Sequence, residues 1–264
     1  MILNYGIPDV APYINWAYFY FAWQLKEEKE QIRMRREAEE FLRKLGDCYH
    51  THALFLLSEA HSDGDDIIVK NKAGEDFRLP MLRQQHEGPS PCLCLSDFLH
   101  PKTDRIGLFA TSVDAGMEHD FDNDPYAKMM AQLLADRLAE ATAERMHEEV
   151  RKHYWGFSPD EQLSIAELHV EKFQGIRPAV GYPSLPDASM NFLLDSLLDM
   201  SQIGIRLTES GAMRPHASVS GLMLAHPQAR YFAIGKIGLD QLNDYACRRG
   251  IPVGLAKRFL AANL

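Results

Sequence analysis

A proline- and glycine-rich segment, residues 175–183, carries the side chains best suited to bind a ligand. Two prolines fix φ and remove backbone donors, and two glycines allow a close approach or a positive φ. The segment therefore cannot form a regular helix or strand, and it predicts a rigid extended loop. It presents one fixed cation, Arg177, and one aromatic ring with a polar tip, Tyr182. Taken alone, a loop of this composition is more often a structural linker than a binding site.

A second group of side chains that could do chemistry, Glu140, Glu144 and His147, recurs along a predicted helix. Their spacing of i, i+4 and i+7 places them on one face. Such a set resembles a metal site or an acid–base pair. On an otherwise charged helix, however, a solvated polar face is the commoner explanation, and the sequence favours it here.

The sequence lacks the motifs of several common chemistries. No glycine-rich turn of a dinucleotide-binding fold, no P-loop and no serine nucleophile elbow occurs. Ser218 and Ser220 alternate with Val219, as expected on a half-polar strand. No histidine has a convincing partner for nucleophilic catalysis, so we expect no self-contained active site.

The cysteines and one acidic cluster do not predict a metal site. The chain has four cysteines, at positions 48, 92, 94 and 247. Positions 92 and 94 form a C-x-C pair without a second pair, which is poor zinc spacing. Residues 61–66 lack the spacing of a calcium loop and predict a turn. We therefore expect no metal and a reduced, cytoplasmic protein.

The composition is that of an ordinary soluble globule. Of the 264 residues, 46% are hydrophobic and 25% are charged, and the net charge is −9. This charge argues against nucleic acid as a partner and suits a cationic ligand or a basic protein surface. Residues 1–9 do not resemble a signal peptide, and the aromatic run 13–25 is too short to span a bilayer. We therefore expect no membrane partner.

Local patterns predict helices and antiparallel strands in blocks, without βαβ alternation. Predicted helices cover residues 26–45, 124–153, 164–173, 187–200, 239–249 and 252–262. Predicted strands cover residues 53–57, 67–70, 76–79, 105–112, 206–209, 217–225 and 231–237, the last two as a hairpin. The fold class is therefore α+β. We expect one domain, 1–264, with a helical lead at 1–50 and an α+β body at 51–264.

Several stretches together resemble one family, the activation (reactivation) domain of cobalamin-dependent methionine synthase. They are QGIRPAVGYP at 174–183, ADRLAEA at 135–141, VRKHYWG at 150–156, LTES at 207–210, ASVSG at 217–221, and His226-Pro227 followed by Tyr231. They occur in the family's order, and the resemblance extends from about residue 14 to residue 262.

The resemblance implies a bent antiparallel sheet with flanking helices and a shallow groove that binds extended S-adenosylmethionine (AdoMet). It also implies a function. The family restores cobalamin that has oxidised to the inert cob(II) state, using one electron from a flavodoxin-type reductant and a methyl group from AdoMet. Such a reaction depends on alignment of the reactants more than on acid–base groups, so no catalytic dyad is expected.

Four ligand contacts implied by the resemblance lie on the 175–183 loop. Arg177 matches the arginine that holds the methionyl carboxylate, for which a planar bidentate donor is well suited. Ala179, Gly181 and Tyr182 match the backbone and aromatic contacts around the adenosine.

Four further contacts implied by the resemblance lie elsewhere. Tyr231, with Phe232 beside it, matches a tyrosine on a hairpin that closes over the ligand. Glu140 and Glu171 match acidic residues near the sulfonium, where a carboxylate offsets positive charge.

One position departs from the family. The aspartate that accepts a hydrogen bond from the ligand's amino group is here Asn15. A neutral amide still accepts but loses the charge assistance, which changes the bond strength by about a factor of two. We therefore expect weaker AdoMet binding, or binding tuned by a partner.

The chain also lacks the D-x-H-x-x-G motif of a cobalamin-binding module. The resemblance therefore predicts a reactivation module that acts in trans on a separate cobalamin-binding chain, and the lead at 2–10 favours a natural stand-alone protein. One alternative is a docking module for a corrinoid protein that has lost useful AdoMet affinity. A third, an independent small-molecule methyltransferase, lacks a visible general base.

Overall fold

The computed structural model describes residues 1–46, 48–87 and 91–264. Its strands are β1 (Ile2–Gly6), β2 (His50–Asp63), β3 (Asp66–Lys70), β4 (Asp76–Pro80), β5 (Asp104–Val113), β6 (Arg206–Leu207), β7 (Met213–Arg214) and β8 (Ser218–Met223). Its α-helices are α1 (Ile7–Val10), α2 (Trp16–Ala22), α3 (Glu28–Leu45), α4 (Gly116–His119), α5 (Pro125–Glu149), α6 (Ile165–His169), α7 (Met190–Leu198), α8 (Leu239–Arg249) and α9 (Val253–Phe259).

One antiparallel sheet organises the described residues. Its strand order is β4-β3-β2-β5-β8, and β1 pairs with the first half of β2. The long strand β2 pairs with β5 from Thr51 opposite Val113 to Ala60 opposite Asp104. The α+β class and the predicted hairpin of β3 and β4 are thus confirmed.

Both faces of this sheet are covered, which explains why β5 is buried along nearly all its length. Because successive side chains point to opposite faces, Phe109 enters one hydrophobic cluster while Leu108 and Ala110 enter another. The first cluster includes buried residues of α3 and α5, and the second includes α7. A smaller third cluster joins α8 and α9.

Helix α5 is the element that carries most of the polar residues of interest. The Asp124 carboxylate accepts hydrogen bonds from the N–H groups of Tyr126 and Ala127, and Pro125 occupies the first turn, as the sequence predicts. Beyond Glu149 the helix widens into a π-helical segment, Val150–Tyr154.

One predicted feature holds in part and another is wrong. The 1–50 lead is helical over most of its length, but it opens with β1, whose pairing with β2 is a tertiary contact that local periodicity does not reveal. Residues 231–237 form no strand, so the predicted hairpin with β8 is absent. Ile234 donates its N–H to the carbonyl of Pro183 instead (2.9 Å), since the free edge of β8 is taken by the 175–183 loop.

Several helix boundaries differ from the predicted ones, most clearly in α6 and α7. The helix that follows the Ser164 capping box ends at His169, four residues before the predicted end. The helix expected to start at Asp187 has Ser189 at its N-cap, although the Asp187 carboxylate still accepts a hydrogen bond from the Ser189 N–H (2.8 Å).

Candidate ligand-binding cleft

A cleft of about 530 Å³ lies where α5, the 175–183 loop and an irregular segment near Tyr231 meet. Its walls come from four stretches that are far apart in sequence: 13–18, 137–144, 168–184 and 231–233. Eight of the nine predicted contact residues line it: Asn15, Glu140, Glu171, Arg177, Ala179, Tyr182, Tyr231 and Phe232. The ninth, Gly181, is in the same loop but not among the lining residues.

The loop is held against the edge of β8 by an interrupted ladder. Ile176 and Leu224 exchange two backbone hydrogen bonds of 2.9 Å. Pro178 accepts from the Leu222 N–H (3.0 Å), and Val180 donates to the Ser220 carbonyl (2.9 Å). Because prolines cannot donate, the pairing cannot continue as a strand. The structure therefore confirms that this segment is an extended loop and not a regular helix or strand.

Glycine is required where this loop meets β8. A Cβ at Gly221 would lie 2.9 Å from the Ala179 Cα and would collide with the Pro178 carbonyl oxygen. Within the loop, Gly181 has a φ of +88°, which disfavours other residues, and its N–H donates to the Leu185 carbonyl (2.8 Å).

Arg177 does not extend into solvent but pairs with Glu144 of α5. Its Nη2 lies 3.0 Å from Glu144 Oε2, and the two side chains are only 10% and 13% exposed. His147, one turn further on, is fully buried. The expectation that Glu140, Glu144 and His147 form a solvated face is therefore wrong. Tyr182 and Arg177 of the loop contact Glu140 and Glu144, and the Phe173 ring packs against His147.

The Arg177–Glu144 pair leaves polar atoms unused. Arg177 Nε and Glu144 Oε1 are both buried, and neither has a hydrogen-bond partner among the residues the structure describes. A buried donor or acceptor without a partner is costly, so each such atom in a cleft wall indicates a place where a ligand group could bind.

Two more carboxylates line the same cleft. Glu140 Oε1 accepts a hydrogen bond from the Tyr182 hydroxyl (2.5 Å). The pKa of Tyr182 is raised, mainly by burial and secondly by the neighbouring Glu140 carboxylate. Burial also raises the pKa of Glu171, Glu144 raises it further, and Arg177 acts in the opposite direction. Glu171 has a φ of +59°, in the left-handed region that residues other than glycine seldom adopt.

Tyr231 connects the irregular segment to the loop. Its hydroxyl accepts a hydrogen bond from the Arg177 N–H (2.9 Å), and its burial raises its pKa. Phe232 packs in turn near Phe98, with ring centroids 6.3 Å apart. The structure thus brings Tyr231 and Phe232 to the cleft, although not through the hairpin that was expected.

Asn15 has a structural role as well as a place in the cleft wall. It is the N-cap of α2, where its Oδ1 accepts from the Ala17 N–H (3.2 Å). Capping uses a side-chain oxygen that asparagine and aspartate both possess, so this role does not distinguish the two residues.

Sequence reasoning missed several cleft residues. They are Tyr13, Tyr18, Arg137, Glu144 and His169. Tyr18 belongs to the aromatic run at 13–25, and the Arg137 guanidinium lies 5.8 Å from its ring. Glu144 carried a usable signal, since it lies one turn from Glu140 on the same face.

Two negative findings apply to the described part of the chain. No group of three or more His, Cys, Asp or Glu side chains there is placed to hold a metal ion. No helix in that part is long and apolar enough to cross a membrane.

Comparison with known proteins links this chain to one family. A family model described as vitamin B12 dependent methionine synthase, activation domain, matches residues 6–250. Among solved structures, the chain is similar to the crystal structure of the MetH reactivation domain bound to AdoHcy. The two share 37% sequence identity and a TM-score of 0.94, over 100% of this chain and 90% of that one.

Proposed function

The chain belongs to the vitamin B12-dependent methionine synthase activation domain family, and from this premise we propose that its cleft binds AdoMet. The observation that carries the proposal is the buried Arg177 in a cleft wall, with a guanidinium nitrogen that has no partner among the described residues. A structural neighbour whose description includes bound AdoHcy, the demethylated form of AdoMet, supports the same conclusion.

The charges of the cleft fit this ligand. Among the described lining residues are three carboxylates, Glu140, Glu144 and Glu171, and two guanidiniums, Arg137 and Arg177. AdoMet has one carboxylate and two cationic groups, so its net charge is +1. A cleft with an excess of one negative charge complements it.

We assign the chain's residues as follows. Arg177 holds the ligand carboxylate, and Glu140 and Glu171 lie near the sulfonium. The backbone of Ala179 and Gly181, with the Tyr182 ring, surrounds the adenosine.

The remaining two assignments concern the ends of the ligand. Tyr231 and Phe232 close over it, and the Asn15 amide accepts from its amino group.

When bound, AdoMet supplies an activated methyl group on a good leaving sulfur, and cobalamin in its own domain supplies the metal centre that receives it. The residues of this chain orient the ligand and need no general base.

We propose that the cobalamin-binding domain of methionine synthase acts in trans, on a separate chain, with a flavodoxin-type reductant, in the cytoplasm. The aromatic rim of the cleft supports a docking role, since Tyr18, Tyr182 and Tyr231 are 61%, 52% and 36% exposed. Cobalamin would reach this protein only through that partner.

A second candidate function is a corrinoid-docking module with little AdoMet affinity. Asn15 in place of an acidic residue favours it, because the hydrogen bond to the ligand's amino group loses charge assistance. The intact Arg177, Tyr182 and Tyr231 favour the first function.

Calorimetric titration with AdoMet distinguishes the two. We expect saturable binding by the wild type and a loss of at least about 100-fold in Arg177→Ala, since a buried charge-assisted contact is removed. Lys44→Ala, which breaks an exposed ion pair with Glu40 on α3 and removes a cation that does not line the cleft, is the matched control and should bind normally. If the wild type does not bind, even with an isolated cobalamin-binding domain added, AdoMet binding is refuted and the docking module is the better account.

A further inference from the structure

We propose that Glu144 receives the α-ammonium group of the ligand, so that Arg177 and Glu144 together clamp its amino-acid end. The inference rests on the proposed function and names a residue that the family resemblance did not assign. It also explains how the cleft could bind an amino acid although Asn15 is neutral.

The geometry of the pair carries the argument. Glu144 uses one carboxylate oxygen on Arg177 (Oε2 to Nη2, 3.0 Å), and its other oxygen, Oε1, is buried without a partner among the described residues. Arg177 Nε is likewise buried and has no hydrogen-bond partner among the described residues. One unpaired acceptor and one unpaired donor therefore belong to a single ion pair in the wall of the cleft.

An α-amino acid matches this arrangement. Its ammonium and carboxylate are separated by a single carbon, so a group that binds the ammonium must lie beside the arginine that binds the carboxylate. Glu144 meets this requirement, because it already contacts Arg177. A purely structural ion pair would be expected to satisfy its remaining polar atoms within the protein.

The other acceptors of the cleft are less suitable: Glu171 is exposed, so its charge is screened by solvent, and Glu140 and Asn15 already accept hydrogen bonds within the protein. Glu140 already accepts a hydrogen bond from the Tyr182 hydroxyl at 2.5 Å. The only side-chain oxygen of Asn15 already accepts from the Ala17 N–H, so Asn15 can accept from the ammonium only as a neutral second acceptor beside Glu144. Glu144 also offers a full negative charge, which makes a hydrogen bond to an ammonium about twice as strong as one to a neutral acceptor.

The buried side chain of His147, next to Glu144 on α5, supports the assignment. It lies one helical turn from Glu144, and burial, together with the cations Arg151 and Arg177, lowers its pKa well below the ordinary value. The imidazole therefore stays neutral and adds no second cation that would compete with the ligand's ammonium for Glu144.

The test compares two ligands that differ only in the amino group: AdoMet and its desamino analogue, which keeps the carboxylate and the sulfonium. For the wild type we expect AdoMet to bind at least about 10-fold more tightly than the analogue, because only AdoMet makes the charged hydrogen bond to Glu144. Glu144→Gln should weaken AdoMet about 10-fold and change the analogue's affinity by less than about 2-fold.

Glu140→Gln is the matched control, since Glu140 lies one turn away in the same cleft. It should weaken AdoMet and the analogue equally, because both carry the sulfonium. AdoHcy adds a third comparison: Glu144→Gln should weaken it as much as AdoMet, whereas Glu140→Gln should affect it less.

Equal losses for AdoMet and its desamino analogue in Glu144→Gln would overturn the clamp, because they would mean that Glu144 only positions Arg177. Failure of the proposed function looks different: the wild type would then bind none of the three ligands. A melting curve of Glu144→Gln close to that of the wild type would exclude general unfolding as the cause of any loss.

Discussion

His147, one helical turn from the cleft residue Glu144, shows at the residue scale how the interior next to the cleft is built. Its Nδ1 lies 2.8 Å from Arg151 Nη1, and Arg151 pairs with Glu161 at 2.6 Å while its guanidinium lies 4.1 Å from the Phe173 ring. The imidazole is thus buried beside a cation that is itself fully buried. This surrounding keeps the histidine neutral in the folded protein.

This burial predicts a pH dependence of stability. The pKa of His147 is lowered in the folded state, while the unfolded histidine has a pKa of about 6.5. Below that value the unfolded state takes up a proton that the folded state does not, so the free energy of unfolding falls by up to about 1.4 kcal/mol per pH unit. Its contribution is fully present above pH 6.5.

Urea unfolding between pH 5 and pH 7 tests this. His147→Gln keeps a hydrogen-bond acceptor for Arg151 but cannot titrate, so its loss of stability on acidification should be smaller than that of the wild type. His153→Gln, at an exposed position of the same helical segment, should retain the wild-type slope. Equal slopes in the wild type and His147→Gln would show that His147 does not titrate in this way.

The sequence could identify some of these residues and not others. Arg177 and Tyr182 were predictable because their loop cannot be regular structure, so its polar groups need a separate explanation. Glu144 and His147 were not, since helical spacing shows that residues share a face but not what covers it. The covering side chains lie much further along the chain: Arg177 contacts Glu144, and Phe173 packs against His147.

At the scale of elements, the contact between β8 and the 175–183 loop determines where Arg177 stands. The two backbones approach closely at Gly221, where a side chain would meet Pro178 and Ala179. We expect Gly221→Ala to lower the free energy of unfolding by about 1–3 kcal/mol, because the loop must move away from the strand. AdoMet binding should weaken in parallel, since Arg177 moves with the loop.

Gly254→Ala is the control for this change. Gly254 lies in α9, and no atom stands within 4 Å of the position that an alanine Cβ would take there. Alanine should therefore leave binding unchanged and stabilise the helix by up to about 1 kcal/mol. Urea unfolding and AdoMet titration of both variants give the comparison. Wild-type binding by Gly221→Ala would mean that the loop can shift without displacing Arg177.

Local signals predicted the elements that depend on local contacts. The β3–β4 hairpin and the N-terminus of α5 formed as expected because a turn and a cap are set by neighbouring residues. The strand expected at 231–237 failed for a non-local reason. Once the loop occupies the edge of β8, no partner remains there to accept another strand.

At the scale of the whole molecule, the sheet connects distant parts of the chain. Strand β1 pairs with β2, and the hydrophobic cluster that contains Tyr5 and Leu42 also contains Phe109, Leu138 and Met223. The cleft likewise takes its walls from both the lead and the body. We therefore propose that residues 1–264 fold as one domain, and that ligand binding in the cleft stabilises all of it.

Differential scanning calorimetry tests this proposal. We expect one cooperative transition for the free protein, because separating the lead would expose the shared cluster. AdoMet at about 100 times its dissociation constant should add about 2.7 kcal/mol to the free energy of unfolding. For a chain of this size, that corresponds to a rise in Tm of about 5–10 °C.

The same experiment on Arg177→Ala provides the control, since this variant should melt in one transition and the same AdoMet concentration should add no more than about 0.4 kcal/mol to its free energy of unfolding. A second transition in the wild type, unaffected by AdoMet, would show that the lead unfolds independently and would contradict the single domain. A single transition that shifts as a whole would mean that the ligand stabilises the entire fold. Four separate stretches bind the ligand, and each can then leave the cleft only when the sheet behind it unfolds.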